Sequence, residues 1–184
     1  MVAAVASGNG AANAVASISG TATTKMLWPE NSIPSIFTVC SVTRYTGTGG
    51  GRILSCAHSP TQNTHWLHGH QHERRGVAQY APVYDSTAQV NVGVFDDWLV
   101  MCGSNAGTTP GNIVIDQSEI GTAAGGGGGC RMNINYVEES DHWALHSVLI
   151  WDYSLGTAPI PWRTRPCLSN LVAGSVHGTC FCGL

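Results

Sequence analysis

Charge is the scarcest property of this sequence. Only 10% of the 184 residues are charged, and Lys25 is the single lysine; an average soluble domain carries about 25% charged residues. The formal net charge is −3, which leaves no basic surface of the kind that binds nucleic acid. A surface so poor in charge favours a protein that is covered by neighbouring copies of itself or by sugar.

Long apolar runs are also missing. No stretch approaches the roughly 20 apolar residues that a membrane-spanning helix needs. Residues 1–24 contain neither the basic region nor the apolar core of a secretory leader. We therefore expect no membrane partner, and we expect that a secreted form would have lost its leader before Met1.

Cysteine, in contrast, is abundant for a chain of this size. Four of the seven cysteines fall on or beside predicted strands, and three lie in an irregular tail: Cys40, Cys56, Cys102 and Cys130, then Cys167, Cys180 and Cys182. This pattern predicts disulfides in an extracellular protein. The alternative is that the strand cysteines are small buried apolar residues. Zinc is disfavoured because no C-x2-C pair occurs, the pairing stays open, and the odd number leaves one thiol free or bonded to another chain.

The stretch DHWALHSVLIWDYSL, residues 141–155, organises the prediction of the fold. Side chains alternate between the two faces of a strand, and both faces of this stretch are largely apolar. Val148, Ile150 and Trp151 favour a strand over the alternative, a buried helix. The pattern predicts a long central strand that is covered on both sides.

Residues 36–45 and 97–103 are two further candidates for inner strands, because both are also apolar on both faces. Together with residues 141–153 they predict an all-β fold, a two-sheet antiparallel β-sandwich. We expect this sandwich to occupy residues 25–155. An extended N-terminal segment, residues 1–24, precedes it, and a Cys-rich irregular tail, residues 156–184, follows it.

The order of the predicted strands resembles a known family. The ending SVLIWDYSL is similar to the last core strand of laminin-G-like, concanavalin-A-like sandwich domains, and upstream segments such as IFTVCSVTRYTG and DWLVMCG read like earlier strands. The resemblance covers residues 27–155 and implies a jelly-roll topology. It also implies an alternative function, a carbohydrate-binding lectin-like module without catalysis.

Catalysis is not expected. Sandwich-fold glucanases carry two catalytic carboxylates in an E-x-D-x-x-E pattern, and the pair Asp116 and Glu119 does not match it. No G-x-S-x-G nucleophile motif occurs either.

Metal binding has two weak candidates. His68, His70 and His72 would share one face of a strand, and two such histidines can bind a metal. Short acidic runs are the candidates for Ca²⁺, which takes several oxygen ligands: Asp96, Asp97, Glu138, Glu139 and Asp141. The family resemblance implies no metal at the histidines, and the acidic spacing matches no Ca²⁺ loop, so we expect no cofactor and keep Ca²⁺ as the alternative.

Sugar is a possible partner through aromatic side chains. We expect Trp98 and Trp151 to pack in the core, and Trp66, Trp143 and Trp162 to be the candidate platforms for sugar rings. No N-x-[ST] sequon occurs. Covalent sugar would therefore be O-linked, in Thr- and Pro-containing stretches.

The N-terminal segment suggests how copies would assemble. Residues 1–24 carry no charged side chain, and no proline interrupts them. An extended donor of this kind can pair with the open sheet edge of a neighbour. We predict that the insertion residues are Val15, Ala16, Ile18 and Gly20, and that the protein is a structural subunit of an extracellular fibril whose partner is itself. The alternative is that the segment folds back on its own domain.

Overall fold

The computed structural model describes residues 1–155 apart from positions 49, 60, 89–91, 117 and 138. Within these residues the chain forms thirteen strands and no helix, and therefore contains no helix that is long and apolar enough to cross a membrane. The strands are β1 (Val2–Gly8), β2 (Ala11–Gly20), β3 (Met26–Leu27), β4 (Thr38–Tyr45), β5 (Leu54–Ser59), β6 (Gln62–Gln71), β7 (Arg74–Tyr80), β8 (Val83–Thr87), β9 (Leu99–Ser104), β10 (Ile113–Ile115), β11 (Ser118–Glu119), β12 (Arg131–Ile134) and β13 (Trp143–Trp151).

The strands form two antiparallel sheets. The seven-stranded sheet has the order β1-β2-β13-β4-β9-β10-β11, and the six-stranded sheet has the order β3-β12-β5-β6-β7-β8. The prediction of an all-β, two-sheet antiparallel sandwich is confirmed; the jelly-roll topology stays a prediction.

The three predicted inner strands are neighbours at the centre of the seven-stranded sheet, in the order β13-β4-β9. Each begins two residues later than predicted. At β4 the backbone N–H of Phe37 donates to the side chain of Asn105 instead of joining the ladder, and before β13 the carboxylate of Asp141 accepts the N–H of Gly51. The backbone N–H of Asp141 also donates to the Asn135 side chain at 3.1 Å, so local side-chain hydrogen bonds compete with the ladder just before β4 and β13.

The core lies between the facing sheets. Val39 and Met101 of one sheet belong to the same buried cluster as Trp66 and Tyr80 of the other. Phe37 packs edge-on against Tyr80 with the ring centroids 4.9 Å apart, a favourable aromatic geometry. Each such side chain contributes about 1.5–3 kcal/mol when it is fully buried.

A β-bulge in β13 decides which side chains face this core. Leu145 pairs with Thr43 but Ser147 pairs with Val42, so His146 is an extra residue in the strand. The bulge reverses the alternation, as an inserted residue does. As a result Leu145 and Val148 both lie in the buried core cluster, although they are three residues apart.

Four cysteines form two disulfides, as predicted. Cys40 on β4 bonds to Cys102 on β9, and Cys56 on β5 bonds to Cys130, which directly precedes β12. Because these four cysteines are bonded in pairs, the alternative that they are only buried apolar residues is wrong. Disulfides persist in oxidising environments. Cys167, Cys180 and Cys182 lie outside the described residues.

The five-glycine run between β11 and β12 gives a first testable prediction. Gly126 has a φ of +88°, and a Cβ there would overlap the carbonyl oxygen of Tyr80. We expect Gly126→Ala to lower the free energy of unfolding by at least about 2 kcal/mol, because it adds both a clash and a left-handed backbone penalty. Chemical denaturation measures this change.

Gly127→Ala is the matched control for Gly126→Ala. The φ of Gly127 lies outside the left-handed region. A Cβ added there would lie 3.2 Å from its nearest neighbour, the Ala81 carbonyl oxygen. We expect a much smaller loss of stability. Equal losses at the two positions would contradict the packing described for Gly126.

Candidate assembly surface

Residues 2–20 fold into a β-hairpin, which we call the N-terminal hairpin. Strands β1 and β2 pair antiparallel from Val2 opposite Ser19 to Gly8 opposite Ala11. The connecting residues Gly8, Asn9 and Gly10 all have positive φ, at 105°, 52° and 75°. Asn-Gly is a strong signal for such a turn, because both residues tolerate this backbone conformation.

The predicted donor residues lie on β2, the inner strand of the hairpin. Ile18 pairs with Leu145 and Gly20 pairs with Trp143 of the same chain. The segment predicted to be extended therefore folds back on its own sheet in this chain. Val15 and Ala16 pair only with β1, and a role for the four residues in a neighbouring copy stays a prediction.

Strand β1 is the exposed edge of the seven-stranded sheet. All seven of its residues are exposed, and Val5 keeps 72% of its surface accessible. No strand among the described residues pairs with its outer edge. An exposed edge without Lys or Pro is a template for pairing with another chain, and a two-stranded hairpin alone is marginally stable in water.

The hairpin contacts the rest of the molecule at its base, at Ala16 and at its turn. Only three residue pairs, at residues 18–20, join β2 to β13. Beyond them, His146 Nδ1 donates to the Ala16 carbonyl oxygen at 2.6 Å. At the hairpin turn, the N–H of Trp98 donates to the carbonyl oxygen of Asn9 at 2.9 Å. The Asn9 side chain also donates to Asp96 Oδ2 at 3.4 Å, so the base and the turn of the hairpin both contact the domain, whereas β1 is exposed along its length.

The base of the hairpin, in contrast, is held firmly. Thr24 N–H donates to the Thr21 carbonyl oxygen at 2.9 Å and closes a turn. The side-chain amide of Asn135 donates to the carbonyl oxygens of both threonines, at 3.0 and 3.2 Å, and Trp143 Nε1 donates to that of Thr24 at 3.3 Å. This turn fixes the point from which the hairpin leaves the domain.

Strand β13, which lies next to the hairpin, is paired along only part of the edge that faces β2. Strand β13 pairs with β4 from Trp143 to Trp151, but it pairs with β2 only as far as Leu145. On that side, residues 147–151 have no strand partner within the described part of the chain. Leu149, Ile150 and Trp151 are half-buried there. We call residues 147–151 the acceptor edge.

The structure differs from the sequence-based expectation at four tryptophans. Trp66 and Trp143, expected as sugar platforms, are core residues with 1% and 0% of their surface exposed, so neither presents a ring face to a sugar. Trp98 and Trp151, expected in the core, are only half-buried. Trp66 shares the inner face of β6 with His68, and the bulge at His146 places Trp151 on the face opposite Trp143. Trp162 lies outside the described residues.

The histidine cluster is divided between core and surface. His68 and His70 are completely buried, and His68 Nδ1 lies 2.8 Å from the Tyr80 hydroxyl. Burial lowers the pKa of His68 to about 4, and burial with help from the nearby Arg75 lowers the pKa of His70 to about 3. His72 is exposed near Glu139, so the three histidines predicted to share a face do not.

The acidic candidates for Ca²⁺ bind donors of their own chain. Glu139 accepts the Nε–H of Arg52 at 2.6 Å. Burial acts to raise the pKa of its carboxyl, but the hydrogen bond from Gln71 and the charge and hydrogen bond of Arg52 outweigh burial and hold that pKa below its ordinary value. Asp141 accepts the N–H of His142 at 2.6 Å. Asp96 accepts a hydrogen bond from Asn9 in the hairpin turn. Asp97 lies beside Gly10 of the hairpin turn, and Glu138 lies outside the described residues. Across the described residues no group of three His, Cys, Asp or Glu is placed to share a metal ion.

Comparison with protein-family models, curated proteins and solved structures finds no match for this chain. The resemblance to laminin-G-like and concanavalin-A-like domains therefore stays a prediction that depends on strand order alone.

Sequence reasoning missed β1 as the free edge. The prediction placed the donor in β2, where Val15 and Ile18 are the more strand-like residues. The signal that identifies β1 is the Gly8-Asn9-Gly10 turn between two stretches of Ala, Val and Ser, because an Asn-Gly pair between strands indicates a hairpin.

Proposed function

We propose that this protein is a structural subunit of an extracellular fibril and assembles end to end through its N-terminal segment. The observation that carries the proposal is the outer strand β1 of the N-terminal hairpin, which is exposed along its whole length. Residues 1–24 contain no charged side chain. Natural edge strands that remain free in solution are usually blocked by charge, proline or a covering element, and β1 has none of these in the described structure.

The kind of assembly follows from the position of the hairpin. It lies at one end of the strand order in the seven-stranded sheet, and in the proposed fibril its outer edge pairs with a different surface of the next copy. A contact between two different surfaces is heterologous, and it propagates as a filament unless its rotation closes a ring. The scarcity of charged residues, at 10%, also suits a surface that neighbouring copies cover.

The two disulfides support the extracellular part of the proposal. Cys40–Cys102 and Cys56–Cys130 indicate an oxidising environment. Carbohydrate binding is not favoured by the described residues, because two of its three candidate platforms, Trp66 and Trp143, are buried.

Deletion of residues 1–19 tests this function. The deletion removes the hairpin but keeps the turn at residues 21–24, whose carbonyl oxygens bind Asn135 and Trp143. We expect the full chain to form filaments in negative-stain images and to sediment as large assemblies. The shortened chain should remain a monomer with the same near-ultraviolet circular dichroism.

The control for the deletion is the full chain at the same concentration and pH. Unchanged filaments from the shortened chain would refute assembly through the N-terminal segment. A full chain that stays monomeric under all conditions would refute the fibril itself.

A further inference from the structure

We propose that the outer edge of β1 in one copy pairs with the acceptor edge, residues 147–151 of β13, in the next copy. The inference rests on the proposed function and names the contact that joins the copies. The seven-stranded sheet of one molecule would thereby continue into the sheet of its neighbour. The occupant of the acceptor edge is a second copy of this chain.

Backbone hydrogen bonding supplies the first argument. Strand β1 has seven residues and exposes one full row of N–H and C=O groups. The acceptor edge exposes another row, because β2 leaves β13 after Leu145. Strand addition satisfies both rows at once, since main-chain hydrogen bonds provide the affinity in this mode of recognition.

Side-chain size supplies the second argument. Strand β1 presents small residues, VAAVASG, whereas the acceptor edge reads SVLIW and carries the half-buried Leu149, Ile150 and Trp151. Small side chains on an added strand let large ones on the neighbouring strand cover them. Neither stretch contains a charged residue or a proline, so no repulsion or missing N–H opposes their pairing.

Topology makes the contact intermolecular. Strand β2 lies between β1 and β13 in the sheet, so β1 cannot reach the acceptor edge of its own molecule without unpairing the hairpin. Each copy therefore offers one donor edge and one acceptor edge to different neighbours. Such a heterologous contact produces an open chain of copies.

The other sheet edges are less suitable acceptors. In the described residues β3 and β11 have only two residues each. Strand β8 is longer, but the N–H groups of Thr122 and Ala123 already donate to the Asp85 carbonyl oxygen on its outer side, at 2.7 and 3.4 Å. Apart from β1 itself, the acceptor edge on β13 is the longest open stretch in the described residues that adjoins half-buried apolar side chains.

Amide hydrogen exchange, read out residue by residue in monomer and filament, tests the contact directly. Successive amides of a strand point to opposite edges, so about half of the amides in residues 2–7 and 147–151 face outwards. We expect these amides to exchange at least tenfold more slowly in the filament. Amides of β8 should exchange at the same rate in both states.

Two charge substitutions complete the test. Val5 on β1 and Tyr84 on β8 are both exposed apolar residues on edge strands, at 72% and 56% exposure. Val5→Lys is expected to raise the concentration needed for assembly at least tenfold, because a lysine blocks strand addition. Tyr84→Lys should assemble like the native chain.

Each contrary result has a distinct meaning. Filaments in which β1 and the acceptor edge still exchange rapidly would overturn this contact and leave the proposed function in place. Slow exchange of the outward-facing amides of residues 147–151 already in the monomer would mean that the chain covers its own acceptor edge, and would also overturn the contact. A chain that never assembles would overturn both proposals.

Discussion

A chain in which Cys56 and Cys130 are both replaced by alanine is expected to lose about 4 kcal/mol of unfolding free energy. The disulfide spans 74 residues, and removing a cross-link of that length restores about this much conformational freedom to the unfolded chain. Both sulfurs also lie in the main core cluster, so their removal leaves a small cavity. Guanidinium denaturation with linear extrapolation measures the loss.

The second disulfide is the natural comparison for the first. Cys40–Cys102 spans 62 residues, so its effect on the unfolded chain is nearly the same. It belongs to a small outer cluster with Val114 and Leu155, and its removal should cost less than removal of the core disulfide. A Cys56→Ala, Cys130→Ala chain that unfolds at the native denaturant concentration would contradict the role of the core disulfide.

Acid is expected to destabilise the native fold through the two buried histidines. In the unfolded chain a histidine binds a proton near its ordinary pKa of 6.5, whereas burial lowers the pKa of His68 to about 4 and that of His70 to about 3. Their contribution to stability is therefore complete above pH 6.5 and is lost as the pH falls towards 3. His68 alone accounts for a loss on the order of 3 kcal/mol by pH 4.

Asp85 acts in the opposite direction. Burial raises the pKa of its carboxyl to about 7 from an ordinary 3.8, so the folded chain gains a proton that the unfolded chain does not hold in this range. Its contribution is complete below pH 3.8 and is lost as the pH rises through 7. The two histidines lower the free energy of unfolding as the pH falls, and Asp85 offsets part of this effect. We therefore expect the free energy of unfolding at pH 4 to be on the order of 3 kcal/mol below its value at pH 7.5.

Three variants separate these contributions in denaturation curves recorded between pH 7.5 and 4. His70→Gln should flatten the dependence of unfolding free energy on pH, and Asp85→Asn should steepen it. His72→Gln, at an exposed position, is the control and should leave the slope unchanged. A His70→Gln slope that equals the native slope would show that His70 is not a buried neutral group.

The central strands were predictable from sequence because their residues leave little choice of structure. Val39, Val42 and Ile150 are β-branched, and both faces of their strands are apolar, which only a buried strand satisfies. The hairpin was harder to predict. Ala, Ser and Gly pack weakly on a pleated surface, and only the Asn9-Gly10 turn marks its position.

The tryptophan assignments failed for reasons that lie outside local sequence. One inserted residue at His146 reverses the alternation of β13, and a bulge has no clear signature in a single sequence. Trp66 was expected as a sugar platform, yet it shares a face of β6 with His68 and His70, and that face lies in the core. Histidine can be buried at the cost of a lowered pKa, so its presence does not identify a solvent-facing surface.

The placement of the two disulfides bears on how the molecule would carry mechanical load. Cys40–Cys102 joins two strands of the seven-stranded sheet, and Cys56–Cys130 joins two neighbours in the six-stranded sheet, so no described disulfide crosses between the sheets. In a filament joined as proposed, tension would enter at β13 and leave at β1, both in the seven-stranded sheet. The six-stranded sheet lies outside this path. It is joined to the loaded sheet by the connecting loops, by hydrogen bonds such as that between Thr43 and His70 and by core packing, so we expect it to carry little of the tension.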